Sequence, residues 1–268
     1  PIQGIDVNSE VSPMRVLLSN DDGIDAPGLR VLREIAAAVS DDVWVVAPEV
    51  NKSGAGHSLS LNEPLRMRRI DDKTYAVRGT PTDCVIMGVR HILADQRPDL
   101  ILSGVNWGGN LAEDLTYSGT LACAFEGTMV GIRSIAFSQA LGHETRTNPH
   151  FATARQFGPD ILKKLAHMPL PQGTLINVNF PDCPPEDVKG IEITRQGKRD
   201  QELLGIDQRR DPFGNPYYWL AYSLKRSNPP EGTDLHAIYD HKISITPVSI
   251  NLTNTSMQAQ LVAKFQTG

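Results

Sequence analysis

The order in which apolar runs and helix-periodic segments follow one another constrains this chain most. "MRVLLS" (14–19), "VWVVAP" (43–48), "TYAVRG" (74–79), "DLILSG" (99–104), "SIAFS" (134–138) and "TLINVNFP" (174–181) read as strands. Between them, "APGLRVLREIAAAV" (26–39), "PTDCVIMGVRHIL" (81–93), "GTLACAFEGTMVG" (119–131) and "FATARQFGPDILKKLAH" (151–167) carry helical periodicity. Pro27 and Pro81 fall in first turns, where a missing N–H costs little, while Gly158-Pro159 is expected to kink or break the last helix. Strands in strict alternation with helices can bury themselves only as a mostly parallel sheet covered by helices on both faces, a three-layer α/β fold. Beyond Pro181 the pattern changes. "GIEITRQG" and "HKISITPVSI" read as strands, "RRDPFGNPYYWLAYSL" (209–224) as a hairpin, and the proline-rich 226–234 as a loop. Residues 14–181 are therefore expected to form the core, and 182–268 an extension packed on it or on another subunit.

Composition bounds the function. The chain has 268 residues, 40% hydrophobic and 21% charged, enough for one large core. A net charge of -5 does not suit wrapping a nucleic-acid polymer, which needs a basic surface. No apolar run is long enough for a bilayer. The opening "PIQGIDVNSEVSP" has neither the basic nor the apolar region of a secretory signal, and reads as a flexible leader before a start at Met14. Three scattered cysteines, Cys84, Cys123 and Cys183, lack metal-site spacing and suit reduced thiols in the cytoplasm.

Asp-Asp occurs three times. Asp41-Asp42 and Asp71-Asp72 precede strands, at the structural end of the sheet, where solvated turns explain them. Asp21-Asp22 instead follow the first strand, at the carboxyl end where open α/β sheets bind ligands. Adjacent carboxylates about 4 Å apart repel by ~4 kcal/mol at an effective dielectric of 20, so a pair in a concave edge calls for a cation. Two other strand ends converge there. One runs into "EVNKSGAGHSLSL" with Ser53, Gly54 and His57, the other into "VNWGGNLAEDLTYSGT" with Asn106, Asn110, Ser118, Gly119 and Thr120. Carboxylate, hydroxyl and amide oxygens are hard donors that favour Mg²⁺ or Mn²⁺ over zinc. "YSGT" opens a helix, a natural seat for phosphate, and metal plus phosphate points to phosphoryl chemistry. "SGAGHS" lacks dinucleotide-binding spacing, and no Gly-Lys-Ser/Thr occurs, which excludes a P-loop NTPase.

"LLSNDDGIDAPGL", "VVAPEVNKSGAGHSLSL", "GTPTDCVIMG", "DLILSGVNWGGN", "YSGTLACAFEG", "GTDLHAI" and "SITPV" together resemble the SurE family, the stationary-phase survival nucleotidases. The resemblance runs in family order through most of the chain from Met14. It implies a Rossmann-like core with a hairpin extension used in a homodimer or homotetramer. It also implies a metal-dependent nucleotidase acting on nucleoside 5′-monophosphates and, as a further option, 3′-monophosphates, with one divalent cation per subunit. The family's metal ligands fall on Asp21, Asp22, Ser53 and Asn106, with Asp21 the residue for the chemistry, either as nucleophile or as activator of water. Ser118, Gly119, Thr120 and Gly54 are then expected at the phosphate, with Asn20 and Asn110 orienting it. Read singly, each has a plainer role: loop serine, turn asparagine, helix cap. His57 reads first as a loop histidine. Trp107, where the family usually has a small residue, suits a nucleobase platform and loop packing equally. Two other readings compete: a haloacid-dehalogenase-type phosphatase, whose two aspartates are normally separated by one residue where here they are adjacent, and a nucleotide-binding protein without turnover.

Overall fold

Val16–Ser19, buried without exception, form the first strand (β1), and the alternation of its side chains shows why the sheet needs two covers. Val16 and Leu18 pack into one apolar cluster, Leu17 into another on the opposite face. The computed structural model describes residues 14–142, 144–199, 204–222 and 227–266. The leader expected over residues 1–13 lies outside them.

After β1 come α1 (Pro27–Ala36), β2 (Val43–Pro48), β3 (Arg66–Asp71), β4 (Thr74–Arg78) and α2 (Pro81–Met87), which a π-helical turn continues to Ile92. Next are β5 (Leu100–Trp107), a 3-10 turn (Ala112–Thr116), α3 (Gly119–Met129), β6 (Arg133–Gln139), α4 (Phe151–Ala166) and β7 (Thr174–Phe180). The chain ends with β8 (Ile191–Ile193), the pair β9 (Leu204–Arg210) and β10 (Pro216–Tyr222), α5 (Asp234–Tyr239), β11 (Ile243–Ser249) and α6 (Thr255–Gln266). Nine strands form one sheet in the order β3-β4-β2-β1-β5-β6-β7-β11-β8. Pairing is parallel except where β3 meets β4 and β11 meets β7. On one face α1 and α4 bury Leu29, Leu32, Ile35, Ile161 and Leu162. On the other, α2 and α3 bury Cys84, Val85 and Cys123. This is the expected three-layer α/β fold.

Four features differ from the sequence expectation. Helix α4 runs unbroken through Pro159. Its neighbour Gly158 is buried so closely on α1 that a Cβ there would stand 2.5 Å from Ile35 Cδ1, and that packing offsets the one lost hydrogen bond. Strand β3 had no signal because all six residues of "RMRRID" are exposed, leaving no apolar face to read. Strand β5 continues past Gly104 to Trp107, across a register shift against β6 between Ser103 and Asn106. Finally, β8 and β11 belong to the main sheet. Among the described residues of 182–268, the hairpin β9–β10 forms a separate two-stranded sheet and α6 is exposed along its length. Residues 223–226, where the hairpin expectation ended and the loop began, lie outside the described chain.

The second and third Asp-Asp pairs are structural. Asp42 accepts from Arg15 Nε (2.6 Å), Lys73 Nζ (2.7 Å) and Trp44 Nε1 (2.9 Å). Burial pushes its pKa up, but these donors outweigh it and the net shift is downward. Asp71 and Asp72 are exposed. The layers approach closely at Gly28, in the first turn of α1, where a Cβ would lie 1.8 Å from the carbonyl oxygen of Val105 on β5. Gly28→Ala must therefore push α1 off the sheet. We expect it to destabilise the fold by about 3 kcal/mol, the upper part of the range for overpacking. Urea denaturation measures this, and an unchanged midpoint would show that the contact does not hold α1 in place.

Candidate active site

Strand β1 lies between β2 and β5. The chain leaves β1 outward to β2 and β4, then returns through α2 to β5 on the other flank. The crevice at the carboxyl ends of β1 and β5 is therefore a topological switch point, where α/β sheets bind ligands. Asp21 and Asp22 follow β1 there, and Asn106 and Trp107 end β5.

The turn carrying the two aspartates is braced from within. Asn20 Nδ2 donates to Gly23 O (2.8 Å), and Gly23 N donates to Asn20 Oδ1 (3.3 Å). Gly23 has φ +104°, a conformation only glycine adopts without strain, and stands against the backbone of Val50. The backbone oxygen of Asp21 accepts from Lys52 N at 2.7 Å, which ties this turn to the Ser53 loop.

The Asp21 carboxylate sits at the N-terminus of α3. Thr120 Oγ1 donates to its Oδ1 at 2.7 Å, and the amides of Gly119 and Thr120 bond to it as well. Gly119 must be small, because a Cβ there would lie 2.7 Å from Asp21 Cβ. Burial nonetheless raises the Asp21 pKa, with these hydrogen bonds opposing the shift. Asp22 accepts one hydrogen bond, from Trp107 N to Oδ2 at 2.9 Å. Its pKa is pushed up to about 6, by burial first and by the charge of Asp21 second.

Asp22, Asn51, Ser53, Ala26, Pro27 and Trp107 line one cleft of about 360 Å³. Asp21 and Asn106 are not among the residues that line it. Ser53 is exposed, its N–H donating to Asn51 Oδ1 (2.8 Å), and Gly54 follows at φ +79° with open space around it. Asn106 Nδ2 donates to Gly108 O (2.8 Å), which turns the amide nitrogen away on the protein side and leaves Oδ1 as the group for a ligand. The loop beyond Ser53 is held by Gly56 N donating to Tyr117 O (3.2 Å). His57 Nε2 stands 3.3 Å from Glu126 Oε2, with its ring stacked on Phe125, so that histidine anchors the loop to α3.

Several residues expected at a substrate are engaged with the protein itself. Thr120 and Gly119 hold Asp21, and Asn20 holds Gly23. Asn110 is buried, with Nδ2 donating to Ser138 Oγ (2.8 Å) and its carbonyl accepting from Asn177 and Asn179. Ser118 caps α3 by accepting from Leu121 N (3.0 Å). Sequence reasoning missed Asn51, whose spacing two before Ser53 is the signature of an Asx turn, and the Ala26–Pro27 wall.

The donors fit a hard divalent cation. They are two carboxylates, a hydroxyl and an amide oxygen, with no thiol or imidazole, and among the described residues no three His, Cys, Asp or Glu side chains cluster. Nor, among those residues, does a Lys or Arg pair with Asp21 or Asp22, so the burial that raises both pKa values is what a bound cation would relieve.

Comparison with known proteins agrees with this geometry. The sequence profile described as "Survival protein SurE" matches residues 16–203. "5'-nucleotidase SurE" of Methylorubrum extorquens (strain PA1) is 56% identical over 253 residues, 94% of this chain and 100% of that protein. The protein of the same name from Parvibaculum lavamentivorans (strain DS-1 / DSM 13023 / NCIMB 13966) is 57% identical over 246 residues, 92% of this chain and 89% of that one. Among solved structures, the SurE protein from Aquifex aeolicus superposes with a TM-score of 0.81 at 44% identity, covering 93% of this chain and 99% of its own. With this match running from β1 into the last third of the chain, and near full-length relatives beside it, the chain belongs to the SurE family.

Proposed function

We propose that the chain is a metal-dependent nucleotidase hydrolysing the phosphate monoester of nucleoside 5′-monophosphates, with 3′-monophosphates as further substrates. The observation that carries this is the adjacent Asp21-Asp22 pair at the switch point, Asp21 buried and Asp22 half-buried in the cleft wall, with Ser53 in the loop after β2 and Asn106 near the end of β5. The names of the relatives, 5'-nucleotidase SurE, support it. Asp21, Asp22, Ser53 and Asn106 would hold one Mg²⁺ or Mn²⁺ ion, which supplies positive charge for the phosphoryl oxygens. Asp21 does the chemistry, as nucleophile or as the base that takes a proton from water, its carboxylate fixed by Thr120 and the α3 amides. Gly54 and Ser118 face the phosphate, while Asn20, Asn110, Gly119 and Thr120 keep the frame in register. The three cysteines are free and buried, which suits a reducing cytoplasm. No helix among the described residues is long and apolar enough to cross a membrane.

The hairpin and α6 support self-association as a homodimer or homotetramer. Phe213 is 89% exposed and Trp219 58%, with Ile206, Tyr218 and Leu220 also open, and α6 shows Met257, Leu261 and Phe265. Apolar area of this extent marks an interaction surface.

Three outcomes are expected. Chelation with EDTA abolishes turnover of AMP, and Mg²⁺ or Mn²⁺ restores it; full activity after exhaustive chelation rules out metal dependence. In Asp21→Asn the amide oxygen can still accept from Thr120, so the frame survives, yet turnover falls about 10²–10⁴-fold and stays low at saturating metal. Asp22→Asn weakens metal affinity and recovers as metal is raised. Metal titration of both variants decides, and the reverse pattern would pass the chemical role to Asp22, the carboxylate that lines the cleft. Sedimentation at micromolar concentration gives at least a dimer, and a monomer there would refute the interface.

A further inference from the structure

Trp107 stands one residue beyond Asn106 and is 36% exposed in the wall of the cleft. Its backbone N–H holds Asp22, so the indole begins beside the ligand set. The ring is fixed on two sides. Nε1 donates to Arg146 O at 3.0 Å, and the ring packs edge-to-face with Phe151 at 6.0 Å and 82°. With the indole N–H satisfied, the rest of the side chain is apolar ring. Ala26 and Pro27, neither offering a polar side chain, line the same space. A cleft of about 360 Å³ lies at the lower end of the range for small-ligand sites. An aromatic ring held rigid before the ligand arrives has little freedom left to lose on stacking.

We propose that Trp107 is the platform on which the nucleobase stacks, and that it makes the cleft prefer purine over pyrimidine nucleotides. The inference rests on the nucleotidase reading above. Every base has a π-face that an aromatic side chain can cover, and a bicyclic base offers more overlap than a single ring. The competing role for Trp107 is purely internal: it holds Arg146 through its Nε1 and positions Asp22 through its backbone. Comparison of substrates across side-chain variants separates the two: every variant keeps the backbone N–H that bonds Asp22, and loss of the Nε1 bond to Arg146 affects base-free and base-bearing esters alike.

The test compares kcat/KM for AMP, CMP and ribose 5-phosphate, at saturating metal, in the wild-type protein and in Trp107→Ala, Trp107→Leu and Trp107→Phe. Wild-type protein is expected to favour AMP over CMP, and both over the base-free ester. Trp107→Ala and Trp107→Leu lower the AMP to ribose 5-phosphate ratio about tenfold, mostly through KM, the size of one base–aromatic stack. Trp107→Phe retains most of the ratio. A second readout is tryptophan fluorescence, quenched by AMP more than by ribose 5-phosphate in the wild type, with the difference lost in Trp107→Phe, which retains Trp44 and Trp219. This readout does not depend on the alanine variant folding. An unchanged AMP to ribose 5-phosphate ratio in the alanine and leucine variants overturns the platform while leaving the nucleotidase reading intact. Wild-type turnover of ribose 5-phosphate with none of either nucleotide overturns both.

Discussion

The site depends on the burial of one carboxylate at the start of one helix. Taking an ionised Asp21 out of water costs several kcal/mol unless its oxygens are bonded. Thr120 Oγ1 and the first amides of α3 supply those bonds, and charge-assisted bonds contribute about 1.5–3 kcal/mol each. The helix N-terminus adds favourable field in the same place. The arrangement works in both directions. Asp21 satisfies amide donors that a helix start leaves without partners, and α3 keeps Asp21 in a single orientation. Gly119 permits the approach, since any side chain there would collide with Asp21.

The same economy governs β5. Gly28 lets α1 touch the backbone of Val105, which lies within the register shift that carries the strand on to Asn106 and Trp107. A strand that ended at Gly104, where its apolar run ends, would leave Asp22 without the Trp107 amide and the cleft without its wall. An irregularity of this kind beside a site re-aims side chains that regular pairing would point elsewhere. The ligand set proposed above comes from three strand ends, and each end is held by contacts that are not themselves chemical: Asn20 on Gly23, Asn51 on the Ser53 amide, Gly108 on Asn106.

The layer order, the parallel pairing and the crevice were legible in the sequence, because apolar periodicity reports burial directly. What burial does not mark was not legible. Strand β3 and helix α6 are exposed throughout, and α4 crosses Gly158-Pro159 because α1 packs against it, a contact between segments far apart in the chain. At the site, residue type identified the oxygen donors but not their partners. Thr120, Asn20 and Asn110 have the chemistry to bind phosphate, and the structure gives their hydrogen bonds to Asp21, Gly23 and Ser138. Thr120 meets Asp21 across 99 positions of sequence, a distance that no local pattern spans.

Among the described residues no lysine or arginine neutralises the pair. A fixed cationic side chain would return both pKa values toward normal and stabilise the fold, but it would also occupy the lone pairs facing the cleft. Among the described residues Asp22 accepts only the Trp107 amide, and in the reading proposed above its charge is then left for a metal ion to balance. A divalent ion balances two carboxylates and still attracts a phosphate, which one ammonium group between the same carboxylates would not do. On the reading proposed above, the pair is the feature that makes the crevice a site: the fold places two carboxylates on adjacent residues where burial raises the pKa of both.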